Sequence, residues 1–255
     1  MLMPRVIPVL LFRKGGLYKT TRFKNPVYVG DPINAVRIFN EKEVDELVFV
    51  DITATPERRG PNFDYIREVA SECFMPLCYG GGVRSLEDVK AVISCGVEKV
   101  AINSLAVENP DFIREAASEF ASSTIVVSVD VKRDFFGRYH VYSHGGTRKA
   151  AWHPVEFVML MEKMGAGEIL LTSVDRDGTK AGYDIELIRS VSEAVGIPVI
   201  ACGGAGCVAD FSQALEARAS AVAAGSMFVF HGRHRAVLIN FPSQEELKGA
   251  FFNRA

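Results

Sequence analysis

Four separated segments of this 255-residue chain recur at a single spacing. Glu46-Leu47-Val48 returns as Glu168-Ile169-Leu170, Pro76 as Pro198, Gly81-Gly82 as Gly203-Gly204 and Ser104 as Ser226, each 122 residues further on. One offset shared by four segments implies two halves built alike, each unable to cover its own apolar surface without the other. Short apolar runs at 6–11, 46–51, 76–79, 99–102, 124–130, 168–172, 198–201 and 221–224 supply four strands to each half. They lack the polar alternation of a half-exposed sheet, so both faces are expected to be buried, as in a parallel sheet covered by helices. The α/β fold class that follows is a (β/α)8 barrel made of two fused half-barrels, one domain over 1–255.

Helix punctuation agrees with this. Asp31-Pro32 and Asn109-Pro110 each place a capping side chain before a proline suited to a first helical position. Ser85 and Asp88 have capping-box spacing, and Gly96 and Gly165 follow apolar-periodic segments where a left-handed cap belongs. The formal charge of −2 offers no field for nucleic acid or an anionic membrane, so an anionic ligand must be held by local groups. Five cysteines without a C-x-x-C pair, and no apolar run long enough for a signal peptide or a membrane span, lead to the expectation of a cytoplasmic protein. The five histidines lack metal-ligand spacing. No metal or cofactor is expected.

Chemistry concentrates after the strands. Gly80-Gly81-Gly82 follows the third and Gly203-Gly204 the seventh, where backbone N–H groups can approach a phosphate closely. Asn103-Ser104 and Gly225-Ser226, after the fourth and eighth, add donors, and two such cradles suit a ligand phosphorylated at both ends. The same glycines also serve as ordinary tight turns. Asp130 ends the fifth strand at the expected mouth, as a general base or as a helix cap or partner for Lys132. Asp177 is a second candidate, although Asp-Gly is common turn chemistry. Near the first and fifth strand ends the offset becomes 119 and sets Leu11 against Asp130. Arg5, Glu46, Lys99 and Glu168 begin strands at the opposite end, and position alone favours scattered ion pairs over a closed ring. Residues 13–30, with Lys19 and Phe23, read as a long binding loop.

These residues resemble a known family, the cyclase subunit of imidazole-glycerol-phosphate synthase (HisF). The resemblance covers about 2–230 and rests on DELVFVDITA at 45–54, GGG at 80–82, AVENP at 106–110, GAGEILLTS at 165–173 and DRDGTK at 175–180. It implies a barrel that takes ammonia from a HisH-like glutaminase in a heterodimer and uses it to cyclise a bisphosphorylated ligand. Arg5, Glu46, Lys99 and Glu168 would form the ammonia-channel gate, against the scattered-pair reading. One phosphate site would use Gly81, Gly82, Asn103 and Ser104, and the other Gly203, Gly204, Gly225 and Ser226, with Asp177, Gly178 and Thr179 beside it. Asp130, Asp177 and Lys19 would be the catalytic group, Lys19 and Phe23 lying on a mobile loop.

The sequence departs from the family at Leu11, where the family has an aspartate that shares acid and base duties with the equivalent of Asp130. Losing one such group commonly costs about 10²- to 10⁴-fold in rate. VIPVLL at 6–11 and CYGGG at 78–82 resemble a divergent branch tied to surface-polysaccharide (O-antigen) synthesis. There the barrel would deliver ammonia for making an acetamidino sugar, together with a sugar amidotransferase. That branch is the expectation adopted here. The alternatives are a histidine-pathway cyclase, a non-catalytic phospholigand-binding activator of a glutaminase and, more remotely, an aminoaldose isomerase.

Overall fold

A computed structural model describes residues 3–232 and 234–252. Its barrel strands are β1 (Arg5–Arg13), β2 (Leu47–Asp51), β3 (Leu77–Gly80), β4 (Lys99–Ile102), β5 (Ile125–Arg133), β6 (Glu168–Ser173), β7 (Val199–Cys202) and β8 (Ala221–Ala224). Each is parallel to the next in sequence, and β8 returns to β1 in the register Arg5 with Ala221 through Pro8 with Ala224, closing the barrel. The eight expected strands are all present, the fourth and eighth with the expected ends and the others with ends shifted by at most three residues. Closure removes the unpaired edges that a sheet of such apolar strands could not leave open.

Alternation along each strand separates two cores. Outward residues such as Phe49, Tyr79 and Ile125 meet the helices in the larger cluster. Inward residues form a separate column inside the barrel that includes Ile7, Val48, Ala101, Val126, Leu170 and Ala223, with Leu11 and Val50 packed at one end. This is the layered filling of a small barrel. The helix Gln244–Phe252 lies against Val208–Glu216, burying Leu247 and Phe251, with Ser212 donating to the Ala250 carbonyl at 2.9 Å.

β1 and β5 are nine residues long, whereas the other barrel strands have four to six. Both run past the barrel and turn back on themselves. Residues 13–30, expected as a loop, are instead two antiparallel strands, Gly16–Thr21 and Lys24–Gly30, the first paired to β1. Two-residue turns at Lys14-Gly15 and Arg22-Phe23, all four with positive φ, match the right-handed strand twist and so favour a hairpin. β5 likewise pairs with Tyr139–Ser143, which pairs with Arg148–Lys149.

The helix caps follow with one correction. Asp31 accepts from the Asn34 N–H at 2.9 Å and caps Pro32–Glu41. Asn109 ends the short helix Ser104–Glu108 instead of capping the next one, whose N-cap is Pro110. Ser85 accepts from the Asp88 N–H at 3.2 Å, but the Asp88 carboxylate reaches back to the Arg84 N–H. Gly96 and Gly165 have φ of 97° and 94°, as a left-handed helix end requires.

Candidate functional site

At the N-terminal end of the barrel, the first inward residues of β1, β4 and β6 and the residue preceding β2 converge. Arg5 bonds to both Glu46 and Glu168. Lys99 Nζ donates to Glu46 at 2.9 and 3.1 Å and to Glu168 at 2.9 Å. Each cation therefore bridges both carboxylates, and the four residues close a ring of two positive and two negative charges. Glu46 and Glu168 are 2% and 5% exposed, and each meets both cations of the ring, so neither carboxylate is buried without a partner. The carboxylates and hydrogen bonds hold Arg5 and Lys99 more firmly protonated than usual, against the burial that opposes it. The scattered-pair alternative is thereby set aside.

The inner column leads from this ring to a cavity of about 360 Å³ at the C-terminal mouth. Its polar wall carries Asp130 and Asp177, and its apolar wall includes Leu11, Val9, Val50 and Phe23. Asp130 is buried. Desolvation, reinforced by the negative charge of Asp177, lifts its carboxyl to about 7. Asp177 is also lifted by desolvation, to about 6, while Lys19 and a 3.3 Å hydrogen bond from Thr20 restrain it. Lys19 is buried, bonded to the Val9 carbonyl and lowered by desolvation to about 8, with Asp177 opposing the shift. The three groups thus titrate within reach of neutrality, which is where proton exchange between a site and its ligand is efficient.

Both glycine cradles rest on the same backbone device. A Cβ on Gly81 would lie 2.4 Å from the Asp51 carbonyl, and one on Gly203 2.5 Å from the equivalent Ser173 carbonyl. Asn103 and Gly225 open short helices, with φ/ψ of −114°/−75° and −114°/−70°, so the two halves agree closely. Gly81, Gly82, Asn103 and Ser104 line the main cavity, and Lys19, Gly225 and Ser226 line a small recess continuous with Leu11 and Asp177. Gly178, Thr179, Gly203 and Gly204 do not line either space. Gly178 packs under the Thr20 carbonyl, Thr179 bonds back to the Arg176 carbonyl at 2.6 Å, and Gly204 packs against the Gly182 carbonyl.

Sequence reasoning missed the far side of the mouth. His144, Gly145 and Thr147 line the cavity from the turn after Tyr139–Ser143. An alternating run ending in Gly145-Gly146 was the available hairpin signal. Thr172 and Cys202 also reach the cavity, and burial pushes the Cys202 thiol up to about 12. Asp51, though on the wall, is occupied in its own loop by Thr53, Ala54 and Arg59.

A family described as "Histidine biosynthesis protein" matches residues 5–235. A Pseudomonas aeruginosa protein provisionally named imidazole glycerol phosphate synthase subunit hisF2 is 52% identical over 244 residues, 95% of this chain and 97% of its own. A Leptospira borgpetersenii protein provisionally named subunit HisF of the same synthase is 46% identical over 253 residues, covering 98% and 100%. The imidazole glycerol phosphate synthase subunit HisF of Alkaliphilus metalliredigens is 46% identical over 232 residues, covering 91% and 92%.

Proposed function

Because this chain belongs to the HisF family of histidine-biosynthesis barrels, we propose that it is a synthase subunit that draws ammonia from a glutaminase partner through its barrel to a phosphorylated ligand at the mouth. The observation that carries this reading is the closed ring of Arg5, Glu46, Lys99 and Glu168 below an apolar column. A column lined by alanine, valine and isoleucine would pass neutral ammonia and disfavour the ammonium ion, whose desolvation goes uncompensated there. Charges that merely stabilised the barrel end would gain little over apolar residues. A ring that can part and re-form gives them a task.

At the mouth, Asp130 and Asp177 supply an acid and a base. With their carboxyls near 7 and 6, one is substantially protonated while the other is substantially ionised close to neutral pH. On this reading Asp177 takes the proton-transfer part that Leu11 cannot. Lys19 and the two cradles hold the ligand, with Gly82 and Ser104 at one phosphate and Gly225 and Ser226 at the other. The names of the relatives support imidazole glycerol phosphate formation as the reaction. None of the names quoted above supports surface-polysaccharide synthesis, so that expectation gives way to the histidine-pathway alternative. One observation keeps it as a second reading: Leu11 extends the apolar wall to the mouth, as a delivery conduit for a sugar amidotransferase would allow.

Copurification with the glutaminase encoded nearest to this chain tests the proposal, followed by glutamine hydrolysis with the bisphosphorylated aminoimidazole carboxamide ribotide precursor. Complex formation and glutamine-dependent imidazole glycerol phosphate are expected. A complex that hydrolyses glutamine without forming this product favours the delivery reading, and absence of any complex refutes both.

A further inference from the structure

The two cradles are alike in backbone and unlike in what covers them. The hairpin that follows β1 lies over the β8 cradle and sets Lys19 beside Gly225 and Ser226. The hairpin that follows β5 lies over the β4 cradle: Asn103 donates to the Tyr142 carbonyl at 3.2 Å, and the His144 N–H donates to Ser104 Oγ at 3.0 Å. With Leu11 set against Asp130, the strand registers match Tyr18 to Tyr142 and Lys19 to Ser143, and His144 stands one residue beyond, on the cavity wall. Its backbone has φ of 53°, and Gly145 and Gly146 follow at 62° and 74°, a left-handed run that folds the imidazole down against the cradle. The ring is also oriented. Ser143, itself buried, lies with Oγ 3.1 Å from Nδ1, and a hydroxyl donating there leaves the proton on Nε2. Nε2 is 3.5 Å from Glu108, an exposed carboxylate that Arg148 also reaches at 3.5 Å and that can therefore turn away from the ring.

We infer that His144 is a ligand-binding residue, its Nε2–H donating to the phosphate held by Gly82, Asn103 and Ser104, as Lys19 serves the phosphate at Gly225 and Ser226. The inference rests on the two-phosphate reading above and extends it. An ammonium at one end and an imidazole at the other make the cradles chemically unequal, so a ligand with two unlike phosphorylated arms binds in one orientation. Glu108 occupies Nε2 until the anion displaces it.

Titration with inorganic phosphate, followed calorimetrically and by the imidazole nitrogen resonances, tests this. In the wild-type protein the His144 Nε2 signal is expected to shift as the β4 cradle fills. His144→Gly suits the left-handed backbone while removing the ring, and it should weaken one of two phosphate sites about 10- to 100-fold, the scale of one hydrogen bond to a charged group. Lys19→Met should weaken only the other. If the wild-type mouth binds no phosphate, the two-phosphate reading itself falls. If it binds two and neither the Nε2 signal nor the His144→Gly isotherm changes, the role of His144 alone is refuted.

Discussion

Asp130 is folded into a place that disfavours its own charge. Its carboxyl ordinarily titrates near 3.8 and is lifted to about 7, so between those values the folded state holds a proton that the unfolded chain releases. Stability from this group is greatest below about pH 4, declines as pH rises toward 7, and is level above. Asp130→Asn should therefore raise the melting temperature at pH 8 and leave it nearly unchanged at pH 4, while ligand turnover falls about 10²- to 10⁴-fold. An equal effect on stability at both pH values would show that the carboxyl is not desolvated. Leu11 tests the other side of the cavity. Restoring an acid by Leu11→Asp should increase ammonium-dependent turnover, whereas Asp177→Asn should abolish what the wild-type protein retains. Unchanged turnover in Asp177→Asn, measured with ammonium salts so that the glutaminase is not needed, would remove Asp177 from the chemistry.

At the scale of elements, the strands and their order were legible because continuous apolar runs and one repeat offset have few other solutions. The hairpin after β1 was not. Its turns use Lys14-Gly15 and Arg22-Phe23, and of these four only Gly15 is the residue type that announces a positive φ. The ring was half legible: the charges were visible at strand starts, but only the shear of the closed barrel brings Arg5, Glu46, Lys99 and Glu168 to one level. Asp177 was legible both as a candidate site residue and as a turn residue, and its bond from Thr20, which lies on the unforeseen hairpin, was not. Glycines in the cradles differ from those in hairpin turns in what surrounds them. Gly81, at φ 117°, abuts the Asp51 carbonyl, whereas Gly15, at φ 81°, faces open space. Gly81→Ala should thus cost more than Gly15→Ala, which carries only backbone strain of about 1 kcal/mol. Equal melting temperatures for the two variants would mean that the β3 turn relaxes without its close contact.

At the scale of the whole molecule, the barrel divides its labour between two ends. The N-terminal end is closed by paired charge, the C-terminal end holds titratable groups and cradles, and an apolar column joins them. The repeat explains why the cradles come in two copies, and the two long strands explain why each copy has its own cover. The proposed passage of ammonia through the ring would join these parts into one function, and Lys99→Ala tests it most directly. Removing one cation leaves Glu46 and Glu168 with Arg5 alone and opens the ring. In the complex with the glutaminase, the ratio of imidazole glycerol phosphate formed to glutamine hydrolysed should fall well below that of the wild-type complex, with free ammonium rising to match, while turnover on added ammonium salts stays near the wild-type value. An unchanged ratio in a complex that still assembles would contradict passage through the ring.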